Sequence, residues 1–172
     1  MGGSCVAIGT NAGNTNQGTG TLPASKSVAI GINAGAENQG GGSVAVGADS
    51  GSSDQKIECC AFGQNAGSQR QGRGAIALGF GAGASRQGTN SIALGYTCCG
   101  DTQGDDSIAI GTVGLAFPSG SICINAGGIV LSPITANACF INPIRGGTNP
   151  FGGVANSLWY NTTTKEVQYH VP

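Results

Sequence analysis

The sequence is short of charge. Only 9% of its 172 residues are charged, against roughly a quarter in an average globular protein. Seven Lys and Arg nearly balance eight Asp and Glu, which leaves no basic field for nucleic acid and no polybasic patch for a membrane surface. Aromatic residues are also few, at 5%, so small side chains must do the packing that large rings usually do. No segment approaches the roughly 20 apolar residues of a membrane-spanning helix. The opening Met1-Gly2-Gly3-Ser4-Cys5 lacks the basic and apolar regions of a secretory signal, so the chain as written is expected neither to export nor to anchor itself. Val6 occupies the position where a myristoylation motif starting at Gly2 needs Ser or Thr.

Catalytic and metal-binding signals are equally sparse. The sole histidine, His170, lies two residues from the C-terminus in a strand-like Tyr-His-Val, and a general-base role would require a nucleophile and an orienting acid held rigidly around it. The chain is therefore expected to be non-catalytic, with no catalytic, cofactor or metal site. The seven cysteines, Cys5, Cys59, Cys60, Cys98, Cys99, Cys123 and Cys139, include no CxxC pair, so a zinc site is not expected. Asp54, Asp101, Asp105 and Asp106 do not follow the GGxGxD spacing of calcium-binding rolls and read as solvated turn carboxylates.

Glycine, in contrast, is abundant, with 33 residues, and it is periodic. One phrase recurs as CVAIG (5–9), SVAIG (27–31), SVAVG (43–47), CCAFG (59–63), AIALG (75–79), SIALG (91–95) and SIAIG (107–111), with a degraded SICIN at 121–125. After one step of 22 residues the closing glycines fall 16 apart, from Gly31 to Gly111. Gln39, Gln55, Gln71, Gln87 and Gln103 keep the same period, and Gln17 joins them across the longer step. The extra residues of that step lie around Leu22-Pro23, where a coil can extrude a loop without shifting its columns. The glycines of Gly79-Phe80-Gly81-Ala82-Gly83 sit at turn positions of the same repeat, so no phosphate loop is needed to explain them.

A helix is a poor reading of this unit, because each interior Gly costs about 1 kcal/mol and no helical apolar stripe exists. Strand fits. In Val28-Ala29-Ile30 the branched residues share one face and Ala29 takes the other. Gly31 closes the strand at one bend, and Gln39-Gly40 marks a second bend with positive φ available. Two short strands and two turns form one flattened coil, and coils stack as parallel strands about 4.8 Å apart.

The narrow interior suits the column Ala29, Ala45, Ala61, Ala77, Ala93 and Ala109, facing Ala34, Ala66 and Ala82. Val28, Ile30, Val44, Val46, Phe62, Ile76, Leu78, Ile92, Leu94, Ile108 and Ile110 then point outward as an apolar stripe. A soluble monomer does not leave so large a stripe wet, which predicts self-association along the rod. The opposite partition, with Val and Ile inside, would permit a monomer. The Gln column reads as an amide ladder running from coil to coil, or else as a sugar-binding groove. Beside it, the variable column Asn38, Asp54, Arg70, Arg86 and Thr102 reads as exposed surface. Arg70, Arg73, Phe80, Arg86 and Tyr96 are the candidate ligand surface. Cys60, Cys98 and Cys123 occupy Val or Ala positions and read as small hydrophobes. Cys5 and Cys59 share a column but lie three coils apart, too far for a disulfide within the chain. Cross-links between chains through Cys59-Cys60 or Cys98-Cys99, and a fully reduced state, both stay open.

The tandem S-[VI]-A-[IVL]-G phrase over residues 4–125 resembles the head domain of YadA-like trimeric autotransporter adhesins. The resemblance implies an all-β, left-handed parallel β-roll of 16-residue coils, assembled as a homotrimer. The 16-residue unit is more similar to the form found in surface fibre proteins of large DNA viruses, algal and giant viruses among them, and of phages. Asn142-Pro143-Ile144-Arg145 followed by Leu158-Trp159-Tyr160-Asn161-Thr162-Thr163-Thr164-Lys165-Glu166-Val167-Gln168-Tyr169 resembles the tail that follows such repeats in viral surface proteins. Physically this tail reads as a β-hairpin with a polar turn at Asn161 to Thr164, where the glycosylation sequon at Asn161 is explained by the turn.

The expected organisation is a roll over 1–128 and a C-terminal β cap or trimer-closing region over 129–172. A bacterial adhesin would continue into a neck, stalk and membrane barrel, none of which is read here. The expected role is a structural or attachment segment of a fibre on a virion surface, with a host glycan or protein as receptor and no nucleic-acid partner or membrane insertion. The alternatives are a bacterial cell-surface head fragment and a monomeric ligand-binding solenoid. An ice-binding solenoid would need a flat Thr ladder, and the column Thr10, Ile32, Ala48, Gln64, Phe80, Tyr96, Thr112 is not one.

Overall fold

The computed structural model describes residues 4–18, 26–114, 116–127 and 129–142, and the backbone of two strands at Ser157–Tyr160 and Val167–His170. The repeated phrase forms β1 (Val6–Ile8), β2 (Val28–Ile30), β3 (Val44–Val46), β4 (Cys60–Phe62), β5 (Ile76–Leu78), β7 (Ile92–Leu94), β9 (Ile108–Gly111) and β11 (Ile122–Asn125), followed by β12 (Cys139–Asn142). These nine strands make one parallel sheet in that order. Every pairing is column on column, for example Val28↔Val44, Ala29↔Ala45 and Ile30↔Val46. A second sheet, on the opposite side of the coil, contains β6 (Arg86–Gln87), β8 (Thr102–Gln103) and β10 (Ala116–Phe117), also parallel. Toward the N-terminus it continues as single bridges, Thr15↔Glu37, Glu37↔Ser53 and Ser53↔Gln69. β13 (Ser157–Tyr160) and β14 (Val167–His170) pair antiparallel.

The fold is thus an all-β parallel solenoid of 16-residue coils. Alternation decides which side of the first sheet is buried: Ala29, Ala45, Ala61, Ala77, Ala93 and Ala109 are wholly buried, as are Ala34, Ala66 and Ala82 across from them. In the matching position of the third coil stands Ser50, whose hydroxyl donates to the Gly47 carbonyl at 2.8 Å. The buried apolar residues accordingly divide into two clusters, one around Ala12, Ala29, Ala34 and Ala45 and a larger one from Ala61 to Cys123. At the C-terminal end the core coarsens. Phe117 takes the Gln position, pairing in register with Gln103, and packs with Val113, Cys123, Leu131 and Phe140.

Tight corners need left-handed backbone, and the sequence supplies Asn and Asp there. Asn11, Asn33, Asp49 and Asn65 hold φ between 54° and 58° at one corner, and Asn16, Asn38 and Asp54 hold φ between 53° and 57° at another. Their short polar side chains tolerate this region. They also bond along the rod, Asn33 Nδ2 donating to Asp49 Oδ1 and Asn38 Nδ2 to Asp54 Oδ1, each at 2.9 Å. The closing glycine has a stricter requirement: Gly47 sits at φ 124°, and a Cβ there would lie 2.7 Å from the backbone carbonyl of Gly63 in the next coil.

Two details depart from the sequence reading. The second bend turns at Asn38 (φ 53°) and Gly42 (φ 74°), not at Gly40, which is absent from the positive-φ residues. Gly40 is required for room instead, since a Cβ would fall 2.4 Å from the carbonyl carbon of Lys56. The parallel sheet also runs past residue 128, because β12 adds to β11 through Ile122↔Cys139 and Asn125↔Asn142. Several sequence expectations lie outside the described residues: the loop at Leu22-Pro23, Pro143 to Arg145, the turn from Asn161 to Thr164, and the side chains of Trp159, Tyr160, Tyr169 and His170.

Candidate functional site

The alternation that buries alanine turns the bulky residues of the same strands outward. Phe62 is 51% exposed and Leu78 41%, and Ile8, Ile30 and Ile76 are likewise exposed. Val28, Val44, Val46, Cys60, Ile92, Leu94, Ile108 and Ile110 are half-buried, shielded only by their neighbours along the stripe. Pairing in register puts these side chains one above another through successive coils. The result is one continuous apolar ridge along one face of the rod. Every residue assigned to the stripe from the sequence stands on it.

Behind this face the glutamines fill the interior. Gln39, Gln55, Gln71, Gln87 and Gln103 are all at most 3% exposed. Each reaches across the coil to a carbonyl of the first sheet, as Gln39 Nε2 to Val28 O at 2.8 Å and Gln103 Nε2 to Ile92 O at 2.8 Å. From Gln55 onward they also bond to one another, Gln55 to Gln71 at 2.9 Å, Gln71 to Gln87 at 3.1 Å and Gln87 to Gln103 at 3.3 Å. The column is a buried ladder and not a groove open to sugars. Toward the N-terminus the ladder is broken: among the described residues the buried Oε1 atoms of Gln17, Gln39 and Gln55 accept no hydrogen bond.

The candidate ligand residues do not converge. Phe80 and Tyr96 meet as stacked rings on the turn after the stripe strand, with centroids 5.2 Å apart and planes 13° from parallel. Tyr96 is 72% exposed. Arg70 and Arg86 lie one coil apart beside the Gln column, Arg86 donating to Thr102 Oγ1 at 3.2 Å. Arg73, on the second turn, is tied to Glu58 at 3.1 Å. These pairs occupy different corners of the coil, and the two rings form a shared surface.

Cys59, Cys60, Cys98, Cys99, Cys123 and Cys139 form no disulfide among the described residues. Cys59 replaces Ser in its column and keeps the bond, donating to Gly72 O at 2.9 Å as Ser43 does to Lys56 O at 2.7 Å. Burial pushes the Cys59, Cys60 and Cys123 thiols above their ordinary range. Cys99, buried and donating to Cys98, is held well above it. Among the described residues no group of His, Cys, Asp and Glu is placed to hold a metal ion.

The YadA head domain repeat model matches the chain twice, over residues 24–50 and 71–97. The matched coils are YadA-like head repeats. The first matched stretch contains β2 and β3, and the second contains β5, β6 and β7, so both fall on the parallel coils just described. No curated protein and no solved structure matches the chain. Sequence reasoning missed two features of this roll. β12 repeats the degraded phrase as Ala138-Cys139-Phe140-Ile141-Asn142, whose signal is the Ile-Asn ending it shares with 121–125. The left-handed corners were signalled by Asn and Asp recurring at fixed offsets from the closing glycine. Among the described residues no helix is long and apolar enough to cross a membrane.

Proposed function

We propose that the chain is a non-catalytic structural and attachment segment of a surface fibre or adhesin, working as a homotrimer whose three rods bury their apolar ridges against one another. The observation that carries this reading is the ridge itself. A face bearing Ile8, Ile30, Phe62, Ile76 and Leu78 exposed in one chain is larger than monomeric soluble proteins usually leave wet. Each such side chain, already about half covered in the single chain, stabilises the assembly by about 1 kcal/mol once fully covered. Identical ridges on identical rods favour closed symmetry about the rod axis. Sedimentation of Leu78→Asp beside the unaltered chain tests it: the substitution places a charge in the ridge and should release 16.8 kDa monomers. A Leu78→Asp chain that sediments as the parent does would remove the support.

The virion-surface placement rests on the resemblance of the 16-residue unit and of the Asn142 to Tyr169 tail to viral fibre proteins. A bacterial cell surface is the alternative, and immunogold labelling of particles against cells distinguishes them. For a receptor, the stacked Phe80 and Tyr96 offer a flat apolar platform of the kind on which a sugar ring can lie, flanked by the exposed Gln64 and Thr97. Binding on a glycan array that is lost in Tyr96→Ala supports this surface, and binding that survives the substitution discards it.

A further inference from the structure

The corner that follows each stripe strand is built to one recipe until the sixth coil. It reads Asn11-Ala12-Gly13, Asn33-Ala34-Gly35, Asp49-Ser50-Gly51, Asn65-Ala66-Gly67 and Gly81-Ala82-Gly83 in successive coils. The first and third positions are left-handed each time, with φ between 48° and 62°, and Asn, Asp and Gly tolerate that backbone. The next coil places Thr97-Cys98-Cys99 at this corner. Thr97 still holds φ 47° and Cys99 φ 50°, so a β-branched residue and a cysteine both sit in backbone that suits neither. Strain of this kind persists only where the surroundings impose it, and it gathers at switching sites. The third column is crowded as well: a Cβ on Gly67 or Gly83 would lie 2.9 Å from the side-chain amide carbon of Gln71 or Gln87. Cys99 carries its Cβ into that same column.

The two thiols meet out of contact with solvent. Cys98 and Cys99 have no exposed surface. The Cys98 thiol donates to the Ala109 carbonyl at 3.4 Å, and the Cys99 thiol donates to the Cys98 sulfur. The backbone ladder loosens at the same point. The equivalent rungs from Gly35 to Ser50, Gly51 to Ala66, Gly67 to Ala82 and Gly83 to Cys98 are all 2.9 Å, whereas the rung from Cys99 to Val113 is 3.4 Å. A longer rung is a weaker one, so this corner opens locally at lower cost, and local opening is the route by which a reagent reaches buried sulfur.

We infer that Cys98 and Cys99 are a reversible redox pair, closing to a disulfide within this one corner when a low-molecular-weight disulfide accepts their electrons. The Cys98 thiolate attacks one sulfur of the small disulfide and expels a small thiolate. Cys99 then loses its proton and attacks the Cys98 sulfur of the mixed disulfide, expelling the second. Two electrons pass to the small disulfide, and the two protons leave on two small thiols. Adjacent Cα atoms lie about 3.8 Å apart across a trans peptide, below the usual disulfide range of roughly 4.4–6.8 Å. The ring is therefore strained and readily reduced, which makes it a latch and not a permanent staple. The inference is independent of assembly and of ligand binding.

The test equilibrates the full chain with mixtures of reduced and oxidised glutathione, in native buffer and in guanidinium. Remaining thiols are blocked with N-ethylmaleimide after unfolding in acid. Cleavage after Arg86 and before Asp101 then isolates 87–100, which holds Cys98 and Cys99 and no other cysteine. In the folded chain this fragment is expected to be two hydrogens lighter and unblocked, and dithiothreitol should restore both thiols. The ratio of glutathiones at its midpoint should be at least about tenfold more reducing than the unfolded chain requires. Cys123→Ala, which puts the usual residue of its column back, should leave that midpoint unchanged. Two blocked thiols at every ratio, equal midpoints for folded and unfolded chains, a bond from 87–100 to the Cys123 fragment, or loss of the lighter fragment in Cys123→Ala would each overturn the proposal.

Discussion

Gln55 and Gln71 are joined side chain to side chain inside the roll, Nε2 of the first donating to Oε1 of the second at 2.9 Å. Gln71 in turn donates to the Cys60 and Ala75 carbonyls and to Gln87, with none of its own surface exposed. One amide therefore satisfies groups from three coils in a space that excludes water. Replacing it with Glu removes the donors and puts a carboxylate among carbonyls, so Gln71→Glu is expected to cost at least about 3 kcal/mol at neutral pH. Burial among acceptors raises the folded pKa of that acid above its unfolded value. The variant should then regain stability as pH falls through that raised folded value, with the recovery complete below about 4.3, the ordinary Glu value. Urea titrations at pH 7 and pH 4 check both the size and the sign.

Gly47 and Gly42 differ in what surrounds them, although both have positive φ. A Cβ on Gly47 would meet the Gly63 backbone at 2.7 Å, whereas one on Gly42 would find Glu58 no closer than 3.8 Å. The Gly42 column itself contains Glu58, Asn90 and Asp106 at φ 63°, 53° and 52°. Gly47→Ala is expected to destabilise by several kcal/mol, combining strain and overpacking on the order of 1–3 kcal/mol each. Gly42→Asn should change stability by less than about 1 kcal/mol. Paired thermal melts of the two variants measure the contrast.

The N-terminal coils should open before the central ones. Their three buried Gln oxygens lack donors, at a cost of about 1–3 kcal/mol each, and Ser50 interrupts the Ala column that would tie them to the larger core. Stacked coils hold together through neighbours only, so a weak stretch frays locally. Native-state hydrogen exchange is expected to show faster opening over β2 and β3 than over β5 and β7.

Thiol reactivity should report burial coil by coil. Cys139 is exposed and Cys5 half-buried, while Cys59, Cys98, Cys99 and Cys123 are buried. A maleimide reagent in native buffer should label Cys139 quickly and the buried four only on unfolding. Cys60 lies on the ridge and, on the proposed assembly, should be protected in the parent and become reactive in Leu78→Asp. The raised thiol pKa values mean that the folded state holds its protons longer than the unfolded chain. The associated stability is full below the ordinary thiol pKa of about 8.5 and declines as pH rises above it. Denaturation at pH 8 and pH 10 tests that slope.

The coil was legible because period and residue type agreed. Branched residues flanking Ala29 and its equivalents dictate which side is buried, and the 16-residue return of Gln and Gly fixes the register. What escaped had a physical cause in each instance. β12 follows a step of 17 residues after one of 14, and Ile122↔Cys139 breaks the branched-residue pattern, so no strict period reaches it. Gly40 was read through its conformational freedom when the governing constraint is the Lys56 backbone beside it. The ligand residues were chosen for exposure, and exposure says nothing about proximity: Arg73 faces Glu58 on one turn, while Tyr96 stacks on Phe80 at another.

Light scattering on the unmodified chain, taken across a range of concentrations, weighs the assembly without any substitution. Three chains of 16.8 kDa give a particle of about 50 kDa that persists on dilution, and that mass is the result expected of rods sharing one ridge. A particle of about 17 kDa at every concentration would contradict it, leaving the ridge exposed to water.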